Sequence, residues 1–273
     1  MDPDGIQIAE GKTRVNRAVV KALTLLEHLL THKSGRTLTE LADRLSLPVS
    51  SVNDVAKTLV KLGYLRCGVE SRRYDLTLKL MDLGQTYLQR MPLYTLSAPL
   101  LGQISKRLDC VAAVYQFYRD ARKMVLIAEA GSAPHLRFGW QVGDAVLHCS
   151  APGKVILASL GNEEITEVLR VMGMPQLTPN TITSQTDLQA VLREAKRRGY
   201  AIDREEVFSG IGCLAVPITI QGLPMAALTI RTLIERLEPE FVTQSVEFLA
   251  STAAALATGV LRAEREEREG GRF

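Results

Sequence analysis

The chain is poor in the residues that build covalent and metal-bound frameworks. Only four of its 273 residues are cysteine, and Cys67, Cys110, Cys149 and Cys213 form no C-x-x-C pair. Neither a zinc site nor a disulfide framework follows from such spacing, which suits a reducing cytosol. His28, His32, His135 and His148 show no metal-ligand spacing either. Nucleotide-binding motifs are missing, so no cofactor is expected. No apolar run approaches the roughly 18 residues needed to cross a bilayer. The opening residues are polar, with Asp2, Asp4 and Glu10, unlike a secretory leader. These gaps point to a cytoplasmic protein without membrane attachment. The net charge of +3 is small, but residues 14–78 carry 11 Lys and Arg against 6 Asp and Glu. A positive excess confined to one segment is what phosphate contact requires.

That segment contains a recognisable pattern. Leu38, Leu41, Ala42 and Leu45 recur at the spacing of an amphipathic helix. Thr37 and Glu40 precede it as T-x-x-E, the signature of a capping box. Pro48 disfavours helix in the residue before it and marks a corner. A second apolar stripe follows in Val52, Val55, Leu59 and Leu62, and Gly63 suits a left-handed helix end. Its other face bears Ser50, Ser51, Asn53, Asp54, Lys57 and Lys61. Two such helices are either a solvated hairpin or a helix-turn-helix whose second helix enters the major groove. Tyr64–Arg66 and Arg73–Leu76 then read as strands around a turn at Gly68–Ser71. This adds a wing, with Arg72 and Arg73 near its tip to meet phosphates.

The rest divides around this unit. Residues 1–13 read as a disordered tail. Arg17–Leu30 forms a first helix that completes a three-helix core, so the winged domain spans 14–78. Thr77–Gln89 is helical and ends at Pro92, giving a linker helix over 79–94. Residues 95–262 form a second domain, and 263–273 a charged tail. Within that domain, helices are expected at Leu96–Leu108, Ala151–Leu160, Glu163–Val171, Thr186–Arg198 and Pro239–Leu261. Strands are expected at Cys110–Tyr118, Met124–Ala130, Gly212–Ile220 and Met225–Arg231, with a weaker one at His135–Trp140. Mixed rather than strictly alternating elements indicate an α+β antiparallel sheet flanked by helices.

Two stretches of the second domain carry chemistry. Residues 143–154 pass from strand through small residues into a helix, aiming backbone N–H groups from around Ala151 at an anion, or simply packing closely. The other is Gly199–Glu206, followed by Cys213. On the strand from Cys213, Leu214, Val216, Ile218 and Ile220 share one face, and Cys213, Ala215 and Thr219 the other. On the next strand, Leu228 and Ile230 oppose Ala227, Thr229 and Arg231. An odd-numbered loop puts Cys213 opposite Arg231 on the polar face, whereas a two-residue loop puts them on opposite faces. Arg231 among small residues is either a carboxylate clamp or a side chain emerging into solvent.

From about Arg17 to Leu261 the chain resembles the IclR family of bacterial transcriptional regulators. The likeness rests on Leu38–Ala42, Leu47-Pro48, Leu62–Leu65, Leu147-His148, Gly153-Lys154 and Gly199–Ala201, with Asp203, Glu206 and Cys213 at the family's spacing. It implies a GAF-like effector domain, homodimers that often pair into tetramers, and a small metabolite, frequently an organic acid. The ligand would meet the loop around Ala151, then Asp203, Cys213, Thr229 and Arg231. Several positions depart from the family. Val49 and Asp54 stand where basic residues are common in the recognition helix. Pro152 lacks an N–H at the anion loop, and Thr219-Ile220 replaces an aromatic-acid pair. Arg231 replaces a small hydroxyl residue, which favours an anionic effector; Phe138 and Trp140 favour an aromatic one if they line the cavity.

The expected function is therefore a regulator that binds double-stranded DNA under control of a small acid. Ser50, Ser51 and Asn53 would read bases on a near-palindromic operator, while Lys57, Arg72 and Arg73 hold phosphates. A metabolite-binding protein with vestigial DNA contacts is the alternative. An enzyme is not expected, because His148 and Cys149 are neighbours that would face opposite ways on a strand.

Overall fold

The computed structural model describes residues 15–32, 34–131 and 146–270. The chain separates into two compact units, Met1–Tyr87 and Leu88–Phe273. The possible strand at His135–Trp140 lies outside the described residues.

In the first unit, α1 (Arg17–Leu30) starts where the Asn16 side chain accepts from the Ala18 N–H. Helix α2 (Leu38–Leu45) begins with a reciprocal cap: Thr37 N–H donates to Glu40 Oε2 at 2.7 Å and Glu40 N–H to Thr37 Oγ1 at 3.3 Å. It ends on Ser46, whose φ of 51° turns the chain toward α3 (Val49–Lys61). Leu25, Leu26, Leu29, Leu41, Ala42, Val52, Ala56 and Leu59 form the shared core. Leu62, expected in that stripe, caps α3 and is 53% exposed. Ala56 supplies the inward contact instead, because positions 52, 56 and 59 lie on one helical face. Strands β1 (Leu65–Cys67) and β2 (Tyr74–Leu76) pair antiparallel as the wing.

Helix α4 (Lys79–Gln89) buries none of its residues. Pro92 does more than end it. This proline opens α5 (Pro92–Leu108), four residues before the expected start. At the first position of a helix the missing N–H costs nothing and the fixed φ is already helical.

The second unit is built on five antiparallel strands in the order β4-β3-β7-β6-β5. They are β3 (Val111–Tyr118), β4 (Lys123–Ala130), β5 (Ala201–Arg204), β6 (Ile211–Ile220) and β7 (Leu223–Leu233). The edge strand β5 was not expected; at four residues it has too little alternation to read. One face of the sheet, with Ala112, Val114, Leu214, Val216, Leu228 and Ile230, packs against α5 and α9 (Pro239–Gly270). The opposite face, with Ala113, Ala201, Ala215 and Ala227, packs against α6 (Ala151–Leu157), α7 (Asn162–Met172) and α8 (Gln185–Arg198).

Helix α9 continues past Leu261 to Gly270, so residues expected in a tail are helical, with Arg262 paired to Glu266 one turn on. By length and composition alone, its stretch Pro239–Glu269 is long and apolar enough to cross a membrane, a test that the core helix of a soluble protein also passes. Its buried side chains, including Leu249, Ala253, Leu256 and Val260, instead cover the sheet.

Candidate functional site

In the first unit, Ser50 and Lys57 of α3 are exposed, and Asn53 is half-buried. Ser51 Oγ accepts from Lys21 Nζ at 2.8 Å, which ties α3 to α1. Arg72 is exposed at the wing tip, in the left-handed region at φ 48°. Arg73 is held: its Nη2 meets Glu40 Oε1 at 3.1 Å, and Arg36 approaches the same oxygen at 3.6 Å. The Thr37 N–H, followed by these arginines, draws the Glu40 carboxyl below its ordinary pKa. The capping carboxylate of α2 therefore also anchors the wing.

In the second unit, two strand irregularities assemble a site. Gln221 and Gly222 make a two-residue turn between β6 and β7, which alone would place Cys213 and Arg231 on opposite faces. A bulge at Ile218/Thr219 shifts the register by one, and Cys213 pairs with Arg231. Cys213 also pairs with Asp203 on β5, and Arg231 with Val111 on β3. Asp203, Cys213 and Arg231 thus form one transverse row. A second bulge lies between β3 and β4, where Val114 pairs with Ala128 but Tyr115 with Leu126. It turns both Leu126 and Glu129 to the same face despite their opposite parity. Arg231 Nη2 donates to Tyr115 Oη at 3.0 Å and to Glu129 Oε2 at 3.3 Å.

Above the row lies a cavity that opens to solvent. Tyr115, Met124, Val146, Ser150, Pro152, Asp203, Val207, Phe208, Ile211, Cys213 and Arg231 line it. Of the expected effector residues, Asp203, Cys213 and Arg231 meet there. Ala151 is fully buried in the neighbouring core, and Thr229 Oγ1 donates to the Ala113 carbonyl at 3.4 Å. Trp140 lies outside the described residues. The lining contribution of Tyr115, Met124, Val207, Phe208 and Ile211 was missed. Those residues read as ordinary strand and loop positions, and only strand pairing and the packing of α6 bring them to one place.

The α6 entry is tightly built. Ser150 Oγ accepts from the Gly153 N–H at 3.2 Å, which occupies one donor, and Pro152 supplies none. A Cβ on Gly153 would lie 2.3 Å from the Leu147 carbonyl oxygen. Lys154, only 1% exposed, donates to the Ile202 carbonyl at 2.7 Å and pairs closely with Glu206. Asp203 Oδ1 accepts from the Glu206 N–H at 2.7 Å, and Thr181 Oγ1 donates to the Glu206 carbonyl at 2.6 Å. Burial pushes the Asp203 carboxyl up to about 7, and it raises Glu206 against the pull of Lys154.

Burial also pushes the thiols of Cys149 and Cys213 up to about 12, so neither is a ready nucleophile. His148 and Cys149 lie in a turn rather than on the expected strand. His148 Nε2 contacts the Pro175 carbonyl at 3.2 Å, and Cys149 is fully buried. Among the described residues, no group of three or more His, Cys, Asp or Glu is placed to hold a metal ion.

A winged helix-turn-helix followed by an antiparallel sheet with helices on both faces is the architecture of a two-domain transcriptional regulator. Residues 18–67 match the IclR helix-turn-helix domain, and residues 85–258 match the bacterial transcriptional regulator IclR C-terminal domain. The KdgR regulator of Escherichia coli is 32% identical over 208 residues, 74% of this chain and 78% of that protein. An IclR regulator from Alicyclobacillus acidocaldarius superposes with a TM-score of 0.76 at 27% identity, covering 90% of this chain and 100% of that one. An IclR homologue from Microbacterium hydrocarbonoxydans, solved in complex with 4-hydroxybenzoate, superposes with a TM-score of 0.73 at 21% identity, covering 90% and 99%. The chain belongs to the IclR family. Its members are transcriptional regulators, not enzymes.

Proposed function

We propose that this chain is a cytoplasmic regulator whose hold on a near-palindromic operator is governed by a small organic acid in the second unit's cavity. The observation that carries the effector reading is the row Asp203–Cys213–Arg231 at the cavity's base. It offers a guanidinium for a carboxylate and a buried carboxyl for a polar group opposite. Tyr115, Met124 and Phe208 suit a compact apolar or aromatic body. The 4-hydroxybenzoate bound by a fold neighbour has that build. Ala151, Thr229 and Trp140 remain part of the proposed effector surroundings.

On DNA, Ser50, Ser51 and Asn53 read base edges, while Lys57, Arg72 and Arg73 meet phosphates. Arg73 does so only by sharing itself with Glu40. A homodimer, pairing in turn into a tetramer, would set recognition helices in successive major grooves about 34–36 Å apart. The effector shifts this equilibrium only by its different affinity for the two states.

Two measurements test the proposal. Selection from a random duplex library should enrich a half-site repeat. Asn53→Ala should blur it, while Arg72→Ala weakens all sequences alike and lowers the salt slope by about one. Failure to enrich any sequence would favour the alternative of a metabolite binder with vestigial DNA contacts, which the exposed Asp54 on α3 supports. In calorimetry, 4-hydroxybenzoate should bind the wild type, and Arg231→Met should abolish the heat. Equal binding by both proteins would remove Arg231 from the site.

A further inference from the structure

We propose that Glu129 is a built-in competitor for the effector's carboxylate: it occupies Arg231 and must leave when an acid binds. This rests on the effector reading above and adds the residue that sets its selectivity. Glu129 and Arg231 sit on β4 and β7, separated by β3. Glu129 pairs with Ala113, which pairs in turn with Thr229, two residues from Arg231 on the same face. Ala113 presents only a methyl group, so the two long side chains can meet above it. Without the bulge at Val114/Tyr115, Glu129 would point to the other face of the sheet.

Competition follows from the donors used. A guanidinium offers a carboxylate two forked faces, Nη1/Nη2 and Nε/Nη2, and both include Nη2. Arg231 Nη2 has two hydrogens, and it donates to Tyr115 Oη at 3.0 Å and to Glu129 Oε2 at 3.3 Å. A ligand carboxylate gains a full fork only if one of these partners yields. Tyr115 belongs to interior strand β3 and is 4% exposed. Glu129 belongs to edge strand β4, and its side chain is 17% exposed against 7% for Arg231. Glu129 therefore yields.

The consequence is selectivity. A carboxylate can replace Glu129 charge for charge, whereas a neutral amide of the same shape cannot. Part of the acid's intrinsic affinity is spent on that exchange, so removing Glu129 should reveal it.

The test is calorimetry of the full chain with 4-hydroxybenzoate, butyrate and 4-hydroxybenzamide. Glu129→Gln should bind both acids about tenfold tighter than the wild type and leave the amide unchanged. Glu129→Asp is too short to reach over Ala113; it should gain in the same direction by less, and it serves if the Gln variant fails to fold. Unchanged or weakened acid binding in folded variants would overturn the competitor role, while wild-type binding that depends on Arg231 would leave the effector reading intact. No acid binding by the wild type or either variant would overturn both.

Discussion

Single residues in the second unit carry unusual electrostatic weight. Lys154 and Glu206 form an ion pair almost out of water, and Glu206 Oε2 has no hydrogen-bond partner among the described residues. Lys154→Met leaves that carboxylate uncompensated, and urea unfolding should show a loss of about 3–5 kcal/mol. Asp203 gives a pH signature. Its carboxyl titrates near 7 in the folded chain, against about 3.9 when unfolded. The folded state therefore binds more protons between those values, so this group's contribution to stability falls as pH rises from about 4 to 7 and is flat above. His148, lowered by burial, contributes the opposite slope near its own pKa. Comparing the wild type with Asp203→Asn isolates the Asp203 component. The variant should gain on the order of 1–3 kcal/mol at pH 8 relative to pH 4. A parallel pair of stability curves would show that Asp203 ionises normally. The polar character of Asp203, Cys213 and Arg231 was legible in the sequence; their burial and partners were not, because Glu129 and Tyr115 stand more than a hundred residues from Arg231.

At the scale of elements, caps and stripes were readable because they are local. The Thr37–Glu40 box, the corner at Ser46–Pro48 and the glycine after α3 each depend on a few neighbouring residues. The bulges were not readable. A one-residue shift in a strand exchanges its faces, and nothing in Lys123–Ala130 or Leu223–Leu233 marks where the extra residue falls. Helix α6 shows the same division. Its small residues signal closeness, but the structure identifies what approaches: the Leu147 backbone against Gly153. Gly153→Ala should therefore cost about 1–3 kcal/mol through overpacking, seen as a lower melting temperature. It should also weaken acid binding if the α6 entry shifts away from Ser150 and Pro152. An unchanged melting temperature would mean that the Leu147 turn moves freely.

For the whole molecule, the apolar side chains left exposed among the described residues bear on assembly. Val19, Leu23 and Leu30 on α1 are each more than half exposed, as are Met81, Leu83 and Tyr87 on α4. Exposed apolar residues on two helices of one unit are consistent with the proposed homodimer. Leu23→Glu with Met81→Glu should lower the mass seen by light scattering while leaving the helical circular dichroism intact. An unchanged mass would place the subunit contact elsewhere.

The longer helices, the winged helix-turn-helix and the two-faced character of the β6–β7 hairpin were set by the sequence alone, since each arises from periodicity and capping over short stretches. Only tertiary structure decided that Asp203, Cys213 and Arg231 share one row, that Glu129 reaches across Ala113, and that Arg73 is engaged by Glu40. Strand register and the meeting of distant charges depend on which segments pair, and pairing is a property of the folded chain rather than of any window along it.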